Sequence, residues 1–289
     1  MNILIKPHAL FLVLILFSLH IESKPIEINS SYINNEQDST KTEIYSFPNP
    51  DEIMTYIIDN KFDFNESILS NPKESDQYLT DDRQNILVGI FLADLAYCIW
   101  LDQPAKSILY FDTIDDISKS QSLFPYISYN VKDRLIGNSG NIDSLKYISN
   151  DIYKLTKDYL LETERYQTYA LVTMGSIIES LYLIFNSSNL NSASATIRQR
   201  IVEQQNLIFN LEDMLNSYLT DSEITEIKKQ VSPIINAYKE MVLKKSQTTI
   251  SDENNILIIG TDQKEDVDVE LLYNLKRKID IIRNNWLNP

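Results

Sequence analysis

The chain has 289 residues, with 26 basic against 41 acidic side chains and a formal charge of −15. That balance repels nucleic acid and anionic lipid, so neither is an expected partner. It has one cysteine and two histidines, and both histidines lie within the first 20 residues. Once those residues are removed, an intramolecular disulfide, a His/Cys zinc site and a histidine-activated nucleophile all lack their parts.

The N-terminus reads as an export signal. Lys6 supplies the positive start, and Ala9–Leu19 is an apolar run too short for the ~20 residues that cross a bilayer. Cleavage after Ser23 assigns 1–23 to a signal peptide and takes His8 and His20 with it. No cysteine follows the run to carry a lipid anchor. Residues 24–50 are polar, rich in Ser, Asn and Thr, and read as a flexible linker. A single helical domain is expected over 51–289.

From there the hydrophobic period is helical almost throughout. The chain has only five glycines and no Asn-Gly or Asp-Gly, which argues against an all-β fold. Asp51–Asn60 is a short amphipathic helix. A long helix capped by Asp81 or Asp82 runs to Leu101, and Asp102-Gln103-Pro104 breaks it and restarts the chain. Ala105–Ser118 places Ile108, Phe111, Ile114 and Ile117 on one face. Phe124–Ile136 ends at Gly137 and Gly140. Asn141–Leu161 and Thr163–Phe185 follow, then Arg198–Leu219 and Ser222–Leu243, the last with Pro233 inside it as an expected kink or break. Asn255–Gly260 is the best strand candidate, with nothing obvious to pair with. Asp266, Asp268 and Glu270 precede a last helix ending near Trp286, where acids favour the helix dipole and no metal is needed.

The fold class is therefore all-α, an irregular bundle of antiparallel helical hairpins. The pair Asp82–Ser118 has the length of a tetratricopeptide-like unit, without the full repeat signature or a second copy at fixed period.

Two stretches, Ile86–Leu101 and Tyr169–Phe185, are apolar almost throughout, and each contains one charge, Asp94 and Glu179 respectively. Each acid lies three residues before a tyrosine, Tyr97 and Tyr182, and so shares a helix face with it. A bare buried carboxylate costs several kcal/mol, so each acid needs a partner or a proton. Gly89, Ala93 and Gly175 are small enough to let the two helices approach closely. Three readings remain open for Asp94, Tyr97, Glu179 and Tyr182. They can be structural docking points satisfied by a tyrosine hydroxyl, by a helix N-terminus or by an arginine, with Arg83, Arg134 and Arg165 the candidates. They can line a pocket for a cationic or polyhydroxyl ligand. The two acids can also act as the acid and base of a carboxylate-dependent hydrolase. A non-enzymatic binding or scaffold role outside the cytoplasm is the favoured function, with no cofactor, no metal and a protein or small-molecule partner. Asp94→Asn and Glu179→Gln are expected mainly to lower stability.

The segment Val88–Phe185 also resembles a family of exported all-helical proteins, often lipoproteins, of Bacteroidota-type bacteria. Gly89-Ile-Phe-Leu-Ala93-Asp94-Leu-Ala-Tyr97, Gln103, Tyr110, Asn141-Ile-Asp143-Ser144-Leu145, Asp158-Tyr159-Leu160, Arg165 and Gly175-Ser-Ile-Ile-Glu179-Ser-Leu-Tyr182 carry the resemblance. It implies a helical, exported protein and supplies no activity. The chain departs from the family form in lacking a lipid-bearing cysteine and in having Ser180 where glycine is expected.

Overall fold

Two helices are apolar on every side, and a helix of that kind can only sit in the middle of its neighbours. These are α1, Asp81–Trp100, and α5, Tyr166–Ser187. In the computed structural model, which describes residues 45, 47, 62–72, 80–121, 128–138, 140–187, 195–219, 224–246, 252–253, 256–257 and 267–288, they pack on each other more extensively than any other pair. α2 (Pro104–Gln121), α3 (Ser128–Gly137) and α4 (Ile142–Glu162) follow α1 in the chain; α2 and α4 lie against α1. α6 (Ala195–Glu203), α7 (Gln205–Tyr218) and α8 (Ile224–Ser246) follow α5, and α9 (Val269–Leu287) closes the fold against α8, α5 and α1. Asp252–Glu253 and Ile256–Leu257 form β1 and β2, an antiparallel pair two residues long, so the strand candidate finds its partner in its own hairpin. Among the described residues the protein is all-α apart from that pair.

The α1–α5 crossing is made by backbone on backbone. A Cβ on Gly89 would lie 2.0 Å from the Val172 carbonyl oxygen, and one on Gly175 would lie 2.2 Å from that of Ile86. Only glycine fits at either position. α5 is long and apolar enough to cross a membrane by composition alone, yet most of it is buried among the other helices. Such burial is what a central core helix requires.

The chain turns without glycine at two helix ends. After α1, Gln103 N donates to Cys98 O at 2.8 Å and Asp102 N to Ile99 O at 3.2 Å, with Asp102 left-handed at φ 56°. After α4, Arg165 N donates to Leu160 O at 2.8 Å and Glu164 N to Leu161 O at 3.1 Å, with Glu164 at φ 58°. Both are Schellman endings, usually built on glycine. The second moves the start of α5 from the expected Thr163 to Tyr166, because Thr163 caps α4 through its hydroxyl on Tyr159 O, 2.7 Å away.

Other boundaries also shift. The segment expected as one helix over Arg198–Leu219 divides at Gln204, whose N–H turns to Ile201 O while its side-chain amide takes Arg200 O. Thr80, not Asp81 or Asp82, is the N-cap of α1, and both acids fall in the first turn. Pro233 sits inside an unbroken α8 on its exposed side, where the carbonyl it leaves free can meet water. Asn141 caps α4 by accepting from Ser144 N, and Asp268 caps α9 by accepting from Glu270 N.

The compact unit spans Glu43–Pro289. Tyr45 and Phe47, placed by the sequence in the linker, are docked on it: Tyr169 donates to Tyr45 O at 3.2 Å, and Phe47 is buried. Their aromatic surface outweighs the polar composition around them. The signal segment, most of the linker and Asp51–Asn60 lie outside the described residues.

Candidate functional site

Asp94 on α1 and Glu179 on α5 are both fully buried. They lie near enough for the charge of Glu179 to act on Asp94. Arg283, on α9, lies across Glu179 as a side-on fork, Nε to Oε2 and Nη2 to Oε1, both at 3.0 Å. The same Nη2 donates to Ile68 O at 3.1 Å, and the Tyr182 ring covers the guanidinium face 4.2 Å away. This is the bidentate, stacked geometry for which arginine is suited and lysine is not.

Asp94 turns to a different partner. Its Oδ2 accepts from the backbone N–H of Ser70 at 3.2 Å and from the Ser70 hydroxyl. The Ser70 carbonyl accepts from Tyr110 at 2.5 Å. Asn65 N donates to the Tyr97 hydroxyl at 3.0 Å, and Asn65 Oδ1 caps a single 3-10 turn at Glu66–Ile68. Residues 65–70 thus form an irregular strap, and Asp94, Tyr97, Tyr110 and Arg283 satisfy its backbone. Buried non-helical backbone requires such partners.

Oδ1 of Asp94 is buried and meets no donor. An orphan acceptor beside a carboxylate is the place for a proton. Burial pushes Asp94 well above the ordinary aspartate range, and the charge of Glu179 pushes it further; Ser70 and Arg283 oppose without cancelling. Burial also raises Glu179, against the charge and hydrogen bonds of Arg283. Burial pulls Arg283 down, and the charge and hydrogen bonds of Glu179 outweigh it, so the guanidinium stays charged. Burial and the neighbouring charge thus favour the protonated form of Asp94, beside a Glu179 whose charge Arg283 balances.

No family model, curated protein or solved structure matches this chain.

The four residues singled out from the sequence therefore meet around one cluster, but with partners the spacing did not name. Neither tyrosine satisfies its neighbouring acid. Tyr97 holds the strap and Tyr182 stacks on Arg283. Of the three proposed cations, Arg134 pairs with Asp151 at 3.0 Å, and neither Arg83 nor Arg165 provides the partner of Glu179. Arg283 and Ser70 were missed. A signal for Arg283 exists: Leu272, Leu275, Ile279, Ile282 and Trp286 form the buried stripe of α9, and Arg283 lies on it, four residues after Ile279. A charge on an apolar stripe is the same signal that marked the two acids. Ser70 stands in irregular chain and left none.

Beside this cluster is a half-open depression of about 180 Å3. Leu69, Phe91 and Leu287 form apolar wall, Asn71, Asn284 and Asn288 bring amides, and Ser70 and Arg283 line it from the buried cluster. None of Asp94, Tyr97, Glu179 or Tyr182 is among its described lining residues. Among the described residues no group of three His, Cys, Asp or Glu is placed to hold a metal.

Proposed function

We propose that this is an exported protein with a non-enzymatic binding or scaffold role outside the cytoplasm, at the cell surface, in the periplasm or secreted. The observation that carries the non-enzymatic half is the arrangement of the two acids. Glycoside hydrolysis by paired carboxylates needs them ~5–9.5 Å apart, with substrate or water between. Here both are fully buried, with no opening to solvent on either, and already engaged by Ser70 and Arg283. The export half is supported by Ala9–Leu19 after Lys6, and by the resemblance of Val88–Phe185 to exported helical proteins. The charge of −15 favours a protein or small-molecule partner over nucleic acid, and no stable membrane span is expected.

The test is expression of the whole chain with a C-terminal tag in a bacterial host, followed by fractionation, intact mass and a panel of chromogenic glycosides and esters. Loss of Met1–Ser23, recovery outside the cytoplasm and no turnover are the expected results. Full-mass protein retained in the cytoplasm overturns export, and turnover abolished by Asp94→Asn overturns the non-enzymatic reading.

A further inference from the structure

Arg283 is 7% exposed, yet its guanidinium is not fully used. Nε and Nη2 are committed to Glu179 and Ile68 O, and the ring of Tyr182 covers one face. Nη1 donates to none of the described residues. Arg283 lines the depression, and of its guanidinium nitrogens Nη1 is the one with no partner among the described residues. The space, about 180 Å3, is far above the ~10–15 Å3 a single water needs. A largely buried arginine with an uncommitted nitrogen in the lining of a partly apolar cavity is an arrangement that can fix a small ligand.

We propose that this depression binds a small uncharged ligand through a carbonyl oxygen that accepts from Nη1 of Arg283, with the ligand's apolar end against Leu69, Phe91 and Leu287. The proposal rests on the binding reading given above and assigns it a site. The ligand is uncharged because Glu179 already neutralises the guanidinium at 3.0 Å, so a carboxylate would gain no net ion pair while entering a chain of charge −15. It carries an acceptor because the back of the site offers a donor. Asn284 is exposed on α9 at the rim, and its side chain makes no contact with the acid cluster that is among the hydrogen bonds described above.

The test titrates the full chain with N-acetyl-leucinamide and follows the arginine side-chain 15N–1H signals together with calorimetry. A saturable shift of one arginine's Nη protons is expected. Asn284→Trp, which fills the mouth, should weaken binding at least about tenfold at an unchanged melting temperature. N-acetyl-leucine, the matching carboxylate, should bind more weakly than the amide. Absence of a saturable Nη shift, or undiminished affinity in Asn284→Trp, overturns the site. Equal or tighter binding of N-acetyl-leucine overturns the uncharged class. Release of ammonia from the amide would instead overturn the non-enzymatic reading and leave the site standing, so the two failures are told apart.

Discussion

The two halves of the α1–α5 interface solve opposite problems a few residues apart. At Gly89 and Gly175 the helices touch through their backbones, with no side chain between them and no charge to satisfy. One to two turns further along each helix, at Asp94 and Glu179, the same interface encloses two acids, and holding them takes an arginine from the end of the chain and a serine from an irregular strap. The apolar half depends on exclusion of volume. The polar half depends on complete pairing. The first fails by overfilling and the second by leaving one partner alone, so their variants should behave differently.

The largest effect is expected at the glycines. In Gly89→Ala the new methyl would be placed 2.0 Å from the Val172 carbonyl oxygen, with backbone on both sides and no flexible side chain to give way. Overpacking of a flexible core typically costs ~1–3 kcal/mol. A rigid backbone contact should cost more than that, about 4 kcal/mol, or prevent folding. Gly175→Ala should match it, since Ile86 O is 2.2 Å from the new carbon. Urea unfolding at neutral pH measures both. A loss under ~1 kcal/mol in either would show that the helices can separate freely.

Next comes the removal of one charge. Arg283→Met leaves Glu179 buried without its fork and should cost about 3–5 kcal/mol. Adding Glu179→Met should recover much of this, because an apolar pair of similar volume is tolerated where a lone charge is not. Recovery should stop short of complete, since Ile68 O loses its donor in both variants. The double-mutant cycle in urea gives the coupling directly. Additive losses would mean the pair is not one unit.

A smaller loss is expected at the strap. Tyr110→Phe removes the hydroxyl that donates to Ser70 O at 2.5 Å and leaves that carbonyl short of a donor, at about 1–2 kcal/mol. Amide exchange at Ser70, whose N–H goes to Asp94, should accelerate with it. A variant as stable as the parent would place the strap outside the cooperative unit.

The same division explains what could be read from the sequence. The apolar half was legible: Ile86–Leu101 and Tyr169–Phe185 are too apolar to lie at a surface, and Gly89 and Gly175 mark their close approach. The existence and order of the helices follow from periodicity that is local to each segment. The polar half depends on contacts between residues 104 and 215 positions apart, Arg283 with Glu179 and with Ile68, and no local spacing encodes those. Tyrosine three residues on from each acid looked like a partner because i and i+3 share a face, but a shared face does not bring the hydroxyl back to the carboxyl. The Schellman endings at Asp102 and Glu164 were missed as such because the residue that usually signals them, glycine, is absent.

Asp94→Asn gives the smallest change at neutral pH and bears most directly on the polar half. Asparagine has the shape of the protonated acid: its amide nitrogen can be placed toward Glu179, and its oxygen can accept from Ser70 as Oδ2 does. Loss of stability at pH 7 should therefore stay under ~1 kcal/mol, less than the sequence alone led one to expect from a buried acid. The pH profile should separate the two proteins. Asp94 is ordinary in the unfolded chain and raised well above that when folded, by burial first and by Glu179 second. Between those two values the folded state holds a proton that the unfolded state has released. Stability from this group is fully present below the unfolded aspartate range and declines as pH rises toward the folded value, at most about 1.4 kcal/mol per pH unit for one proton. The amide of the Asp94→Asn variant has no such proton to lose. Urea midpoints of that variant, taken from pH 4 upward, should therefore fall less steeply than those of the parent, with Glu179 as the remaining raised acid. The curves should cross, with the variant the more stable at high pH. Parallel curves would mean that Asp94 binds its proton alike in the folded and unfolded chain, and that burial does not raise it.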